Sequence, residues 1–427
     1  MNMTALAETS VTRPFISGWQ KLLIGLILLL ALAGPYVGGL WAAYPLIFIT
    51  VFLALKALVQ RVNVWRLPDR TNLFFLGGFG LLVVAFVATA RQPSDVIYIG
   101  NFLMFAFYAP VAWNLSISAM PRNGRTVAVF AFVGTVLASL LASYQVFVAG
   151  AERAAGRGSD PIWSAEAAVL LGFVALLGFS RFRGVARIPF LVAPAIGIFV
   201  AILSGSRGPL FAVPLLVIAY VIFDTIHWLR NLILGLVAAA IFIGAILLVV
   251  PDTNKRFESL VKSLPEVADG GSVVDQSISQ RRLMYQAGGD AFMASPWIGH
   301  GWAGKMDAIV PYLPPKLSKL PETHHHLHND GLDFAVSGGV LGILAYLLVL
   351  FAPIAGAVTS QRDSQYRFRL TASVMLGGGY AIFGLTYLLF GYEFHTTLYV
   401  ILSAIIVAYC RDEPMAAVLR KKTAATA

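Results

Sequence analysis

The stretch LGILAYLLVLFAPIAG, residues 341–356, carries no charge and shows no polar side. A helix apolar all round belongs in the core of a large protein or in hydrocarbon, where the backbone must satisfy its own hydrogen bonds. Recurrence and length decide between the two. A membrane span needs roughly 20 mostly apolar residues, about 30 Å of helix. Runs of this kind recur along the chain, another being KLLIGLILLLALAG at residues 21–34.

Composition agrees. Of 427 residues, 58% are hydrophobic and 12% charged, and the mean hydropathy is +0.77. A soluble domain carries about 25% charged residues, so this chain reads as an all-α polytopic membrane protein. About twelve spans are expected, at 20–39, 40–58, 72–90, 96–118, 126–149, 162–180, 187–203, 209–224, 231–250, 331–356, 370–390 and 394–410. Neither an internal repeat nor a linker splits off a soluble domain. Residues 1–427 therefore form a single integral membrane domain, with 251–330 inserted as a helical segment between the ninth and tenth spans.

Arginine and lysine set the orientation, because they accumulate in cytoplasmic connections close to span ends. Alternate connections are rich in them: Lys56, Arg61, Arg66 and Arg70; Arg122 and Arg125; Arg181, Arg183 and Arg187; Arg230; Arg362, Arg367 and Arg369; then Arg411, Arg420, Lys421 and Lys422. Both termini are expected in the cytoplasm and 251–330 outside. The net charge of +10 is then topogenic, matched to an anionic leaflet, and calls for no nucleic acid. Residues 21–34, with a positive flank and ALA at 31–33, also resemble a cleavable signal peptide, whose removal would leave the later topology unchanged. The single cysteine, Cys410, excludes an internal disulfide.

Within 251–330, NKRFESLVKSLPEV suggests a helix lying at the membrane surface and ADGGSVVD a flexible turn. SISQRRLMYQAGGDAFMASPWIGHG follows, where Ser277 and Gln280 fit a capping box and Arg281 falls in the first turns of the helix. Two other helix entrances share that expected face. LSGSRGPLF, residues 203–211, sets Arg207 between glycines, with Pro209 suited to the first turn of the next span. PETHHHLHND, residues 321–330, holds four of the seven histidines, and Asn329 or Asp330 can cap the span beyond it. Helix amino ends favour anions. Guanidinium forks at Arg207 and Arg281 would add bidentate contacts, making a plausible pyrophosphate clamp.

These segments, in this order, resemble three signatures of the O-antigen ligase and polymerase superfamily. They are a Ser-Arg-Gly turn at Ser206–Gly208, an Arg-x3-aromatic followed by Pro-x-x-Gly-x-Gly at Arg281, Tyr285 and Pro296–Gly301, and His328-Asn329-x-x-Leu332 with Gly339 and Gly342 downstream. Tyr285 stands where the pattern more often has tryptophan. The resemblance implies a GT-C-like, membrane-embedded glycosyltransferase with a large periplasmic loop between spans nine and ten. In its ligases a glycan moves from undecaprenyl pyrophosphate to a sugar hydroxyl of lipid A-core, with inversion and without a metal or other cofactor. Carried over by position, Arg207 and Arg281 would bind the pyrophosphate and His328 would activate the acceptor hydroxyl. Arg282 competes with Arg281, whose spacing to Tyr285 and Pro296 fits better. A polymerase or a protein O-oligosaccharyltransferase would use much the same site.

Other readings attach to the same residues. His328 could be a capping histidine, and Arg207 part of a structural salt bridge. His324 and His328 would share a face if the stretch were helical, as a zinc site would need, but no cysteine, His-Glu-x-x-His or Asp-x-Asp accompanies them. His324, His325 and His326 read most simply as a solvated approach. Arg91 is a further candidate for phosphate or glycan contact, or a snorkelling arginine. Asp330, Asp333 or Glu393 could orient His328, and Trp297 and Trp302 could line a sugar groove. A transporter of lipid-linked glycan would show charges or broken helices near span centres; the sequence predicts clean ones.

Overall fold

The computed structural model describes residues 17–62, 64–67, 69–157, 160–224, 233, 276–317, 319–320, 324–415 and 417. Apart from Ile233, the expected span 231–250 lies outside these residues, as do the surface helix and turn expected in 251–275, Arg230, Arg420, Lys421 and Lys422, and the Ser277 side chain of the expected capping box.

Helices and no strands are found among the described residues. In chain order they include α1 (Gly18–Leu28, prolonged by a π turn, Leu29–Ala33), α2 (Leu40–Val59), α3 (Arg70–Thr89), α4 (Tyr108–Ser116), α5 (Asn123–Ser143), α6 (Pro161–Leu176), α7 (Ile188–Ser204), α8 (Val213–Asp224), α9 (Gln276–Ala294), α10 (Lys305–Ile309), α11 (Asp330–Thr359), α12 (Tyr366–Phe383) and α13 (Glu393–Ala404). Six helical segments among the described residues are long and apolar enough to cross a membrane: Leu40–Val59, Arg70–Thr89, Pro93–Ser116, Asn123–Val148, Gly184–Ser204 and Asp330–Thr359. Gly18–Ala33, Pro161–Leu176, Gly208–Asp224 and Glu393–Tyr409 are shorter apolar helices. Large apolar side chains such as Trp41, Phe48 and Val185 stand 74–81% exposed on the helix exteriors. Hydrocarbon accommodates such a surface; water does not.

Small residues bring the helices close. A Cβ at Gly78 of α3 would lie 2.8 Å from Val349 Cγ2 of α11, and one at Gly197 of α7 would lie 2.5 Å from the Ala168 carbonyl oxygen of α6. Such contact replaces the hydrophobic drive that helices lack in lipid. At the centre, α13 is buried from Phe394 to Ala404, polar His395, Thr396 and Thr397 included, and continues buried through Ile405–Tyr409.

The connections expected outside do meet at one end of the bundle. Arg153 Nε donates to the Ser204 carbonyl at 2.7 Å, Tyr387 Oη to Asp160 Oδ2 at 3.4 Å, and Gly301 lies against Thr89. At the other end Asn123 Nδ2 donates to the Tyr409 carbonyl (2.9 Å), Arg181 pairs with Asp224 (2.9 Å) and Arg369 with Asp363 (2.7 Å). Arg181 and Arg369 thus hold helix ends together as well as marking a face.

Two expectations need correction. The span expected at 370–390 ends at Phe383, and residues 384–392 form a connection whose carbonyls face the other elements of this end. Its apolar residues read as helix because nothing local stops them; bonds from distant elements do. Span interiors are also not all clean. Gly339 inside α11 is non-helical (φ 59°, ψ −144°), and Glu166 Oε2 of α6 lies 3.4 Å from His395 Nε2 of α13, both buried.

Candidate active site

The connection 384–392 gathers three sequence segments. The first is the turn after α7. Gly205 ends that helix in the left-handed region (φ 66°), the Ser206 amide donates to Ser204 Oγ (3.1 Å), and Pro209 starts the 3₁₀ turn Gly208–Ala212. A Cβ at Gly208 would lie 2.5 Å from Thr386 Oγ1, so this turn, with half-buried Arg207, sits directly on the connection. The second segment is α9. Its Tyr285 Oη lies 2.8 Å from the His328 carbonyl and 3.0 Å from the Leu385 carbonyl, which share the one hydroxyl proton. Arg281, four residues earlier, occupies the same face.

The third segment is the histidine stretch, which is not helical over 324–329. Asn329 caps α11, its side chain accepting the Leu332 amide at 3.0 Å. His328 takes a left-handed backbone (φ 55°), which histidine tolerates better than most residues. Its amide donates to His326 Nδ1 at 3.1 Å. Since a backbone amide only donates, that nitrogen is unprotonated and His326 is the neutral Nε2–H tautomer. The two rings lie 4.1 Å apart, and the Tyr387 ring lies 5.1 Å from His326 and 5.6 Å from His328. Burial, reinforced by the charges of Arg281 and His324, pushes His328 down to about 4. Burial, then the neighbouring His328 and Lys305, pushes His326 down to about 2. Both imidazoles are neutral at neutral pH, the state in which histidine accepts a proton.

A buried polar layer fixes this turn. Asp333 Oδ2 accepts the Leu327 amide (3.0 Å), while its Oδ1 pairs with Lys305 Nζ at 2.7 Å; both side chains are buried. Lys305 Nζ also lies 3.4 Å from the centre of the Trp302 ring, a cation–π contact. Asp330 accepts the Leu389 amide (2.9 Å) and its own amide donates to Gly384 (2.7 Å).

The glycine motifs are one joint. Gly339 interrupts α11, which would strand amides and carbonyls inside the bundle. Residues 296–301 take them up. His300 N–H donates to the Val336 carbonyl and Gly301 N–H to the Ser337 carbonyl, each at 2.9 Å, and Val340 N–H donates to the Pro296 carbonyl at 2.7 Å. Gly299 and Gly339 have φ of 68° and 59°, and a Cβ on either would meet backbone atoms at 2.4–2.5 Å. The break therefore anchors a loop.

Of the residues singled out in sequence, Arg281 acts electrostatically on His328 and Tyr285, whereas Arg282 points outward and is exposed. Arg91 stands apart, in a cleft of about 320 Å³ with Gln92, Asp95 and His300. His326 is not a solvated approach: only 7% exposed, it is enclosed by Tyr387, Tyr392 and His328. His324 is half-buried with its ring 5.8 Å from His328, and His325 is exposed. His328 Nδ1 has no hydrogen-bond partner among the described residues, while Asp330 and Asp333 hold backbone amides and Glu393 is exposed. Among the described residues no group of three or more histidine, cysteine or carboxylate side chains could hold a metal. Sequence reasoning missed Tyr387, whose run TYLLFGY reads as span, and Lys305, whose partner lies far along the chain.

Comparison with curated proteins gives no match. Comparison with family models matches residues 192–347, from within α7 through the first half of α11 and so including all three segments, to the family described as O-Antigen ligase. Over residues 192–347, then, the chain is similar to the O-antigen ligase family.

Proposed function

We propose that the chain is an O-antigen ligase that moves a glycan from undecaprenyl pyrophosphate to a sugar hydroxyl of lipid A-core. The reading places it in the bacterial inner membrane, termini in the cytoplasm, with a GT-C-like arrangement whose segment 251–330 roofs the site on the periplasmic side. The observation that carries it is the convergence on the 384–392 connection of a neutral, half-buried His328, Arg281 beside it, and the Arg207 turn.

In this reading Arg207 and Arg281 bind the pyrophosphate, whose charge grows as it leaves. Arg282, turned outward, is the alternative to Arg281, and Arg91 offers a contact to glycan or phosphate from its separate cleft. The acceptor oxygen attacks the anomeric carbon from the side opposite the pyrophosphate. Its bond to that carbon forms as the carbon–phosphate-oxygen bond breaks, and its proton passes to the His328 imidazole. The configuration inverts. The guanidinium groups supply the charge a divalent cation would bring, so the reaction runs without metal or cofactor.

Purified protein with both lipids should yield ligated product without nucleotide, and the rate should survive chelation by EDTA. A deletion strain should make lipopolysaccharide lacking O-antigen while polymerised glycan accumulates on undecaprenyl pyrophosphate. A single repeat unit on the core would instead identify a polymerase. Unchanged lipopolysaccharide with unglycosylated protein would identify an O-oligosaccharyltransferase.

A further inference from the structure

Beside the histidine stretch lies a cleft of about 380 Å³, walled by Tyr98, Asn101, Trp302, Asp307, His324 and Tyr392. Its place in the fold is set by three elements: the 3₁₀ segment Pro93–Phe102, the α10 region behind the Pro296–Gly301 joint, and the end of the 384–392 connection. His324 is shared between this cleft and the active site, since its ring lies 5.8 Å from that of His328. The cleft therefore begins one side chain away from the proposed base.

We propose that this cleft is a carbohydrate subsite, holding the sugar next to the one that reacts. The inference rests on the ligase reading for the identity of the substrates, though not for the chemistry of the cleft. That chemistry points to a neutral polyol. The described lining contains one carboxylate, Asp307, and neither lysine nor arginine, so phosphate is disfavoured. Its aromatic members Tyr98, Trp302 and Tyr392 offer ring surface for the C–H faces of a pyranose. Asn101, Asp307 and His324 offer planar donors and acceptors for hydroxyls. A lipid chain would require a continuous aliphatic wall, whereas the aliphatic members here, Ala303, Met306 and Leu388, are interspersed with aromatic and polar side chains. The volume sits at the low end of the roughly 300–1,000 Å³ usual for small-ligand sites, room for a sugar or two. The neighbouring cleft that contains Arg91 shares Trp302 and Asp307 but carries a cation, so the two differ in the ligand they favour.

Two sources could present that sugar, the transferred glycan and the lipid A-core acceptor. Asp307 is exposed and Asn101 half-buried, so Asp307→Ala and Asn101→Ala leave the packed interior intact. With the full-length protein in detergent, each lipid is titrated at saturating concentration of the other. Each variant should raise KM for one lipid about 10-fold and change kcat less than about twofold, as loss of a hydrogen bond made in both ground and transition states requires. A rise for the undecaprenyl-linked donor assigns the cleft to the transferred glycan; a rise for lipid A-core assigns it to the acceptor. The second arm is saturation-transfer NMR with delipidated core oligosaccharide and with released O-antigen repeat unit. One should receive magnetisation from wild type and lose it in the Asp307→Ala/Asn101→Ala double variant. Unmoved KM values in a protein that ligates, with no transfer to either oligosaccharide, overturn the subsite alone. Transfer that depends on Asp307 and Asn101 in a protein that ligates nothing sustains the subsite and overturns the ligase reading.

Discussion

A histidine takes up a proton only while it is neutral, and its surroundings keep His328 so. Burial and the Arg281 charge both disfavour its imidazolium, holding it down to about 4. If His328 is the base, kcat/KM should show no acid limb near the ordinary 6.5 and should fall only as pH drops toward about 4. Arg281→Gln removes one positive neighbour, so the pKa rises and the limb of the residual activity moves to higher pH. A limb that stays put would disconnect the two residues. The Lys305–Asp333 pair makes a different claim at this scale. Lys305→Met leaves a buried carboxylate uncompensated, at a cost of about 3–5 kcal/mol. Adding Asp333→Asn removes the charge and keeps an acceptor for the Leu327 amide, so the double variant should recover most of the loss in unfolding assays in detergent. Equal stabilities across that cycle would mean the pair contributes nothing.

Elements explain why some of this was legible in the sequence and some was not. Helix starts were: Pro209 in the first turn after Arg207 and Asn329 as the cap of α11 follow from local chemistry. Spans were too, because an apolar run long enough to cross a membrane reports its own fate. The connection 384–392 was not, since LTYLLFGY has nothing that stops a helix locally; its shape comes from Asp330, Tyr285 and Gly208 on other elements. The burial of His326 escaped for the same reason, its enclosing rings being about sixty residues away in sequence. The glycine motifs could be recognised but not understood until Gly299 and Gly339 were seen face to face. Gly339→Ala must force an L side chain into φ 59° with its Cβ 2.4 Å from the Trp297 carbonyl carbon. At ψ −144°, a region all but restricted to glycine, the backbone alone costs roughly 1–3 kcal/mol and the clash adds to it, so folded yield and thermal midpoint should both drop. Gly289→Ala, in α9 with nothing within 4 Å, should instead stabilise slightly, by roughly 0.5–1 kcal/mol. Equal behaviour of the two variants would dissolve the joint.

For the whole molecule, alternating charge along the sequence and contact between the expected external connections describe the same partition of the bundle into two ends. Reporters fused after residue 60, 124, 184 or 365 should therefore read cytoplasmic, and reporters within 255–320 periplasmic; one at 290 found inside would put the site on the wrong side for its proposed substrates. The all-helical class followed from composition, whereas the number of crossings did not, because several apolar helices fall short of a full bilayer and acquire their place by packing. One consequence reaches back to the interruption at Gly339. A hydrophobic segment is released sideways into lipid by the insertion machinery when its backbone is self-contained, and α11 meets that condition only after residues 296–301 have docked on it. Those residues are synthesised first. The nascent chain thus carries the missing partner ahead of the helix that needs it.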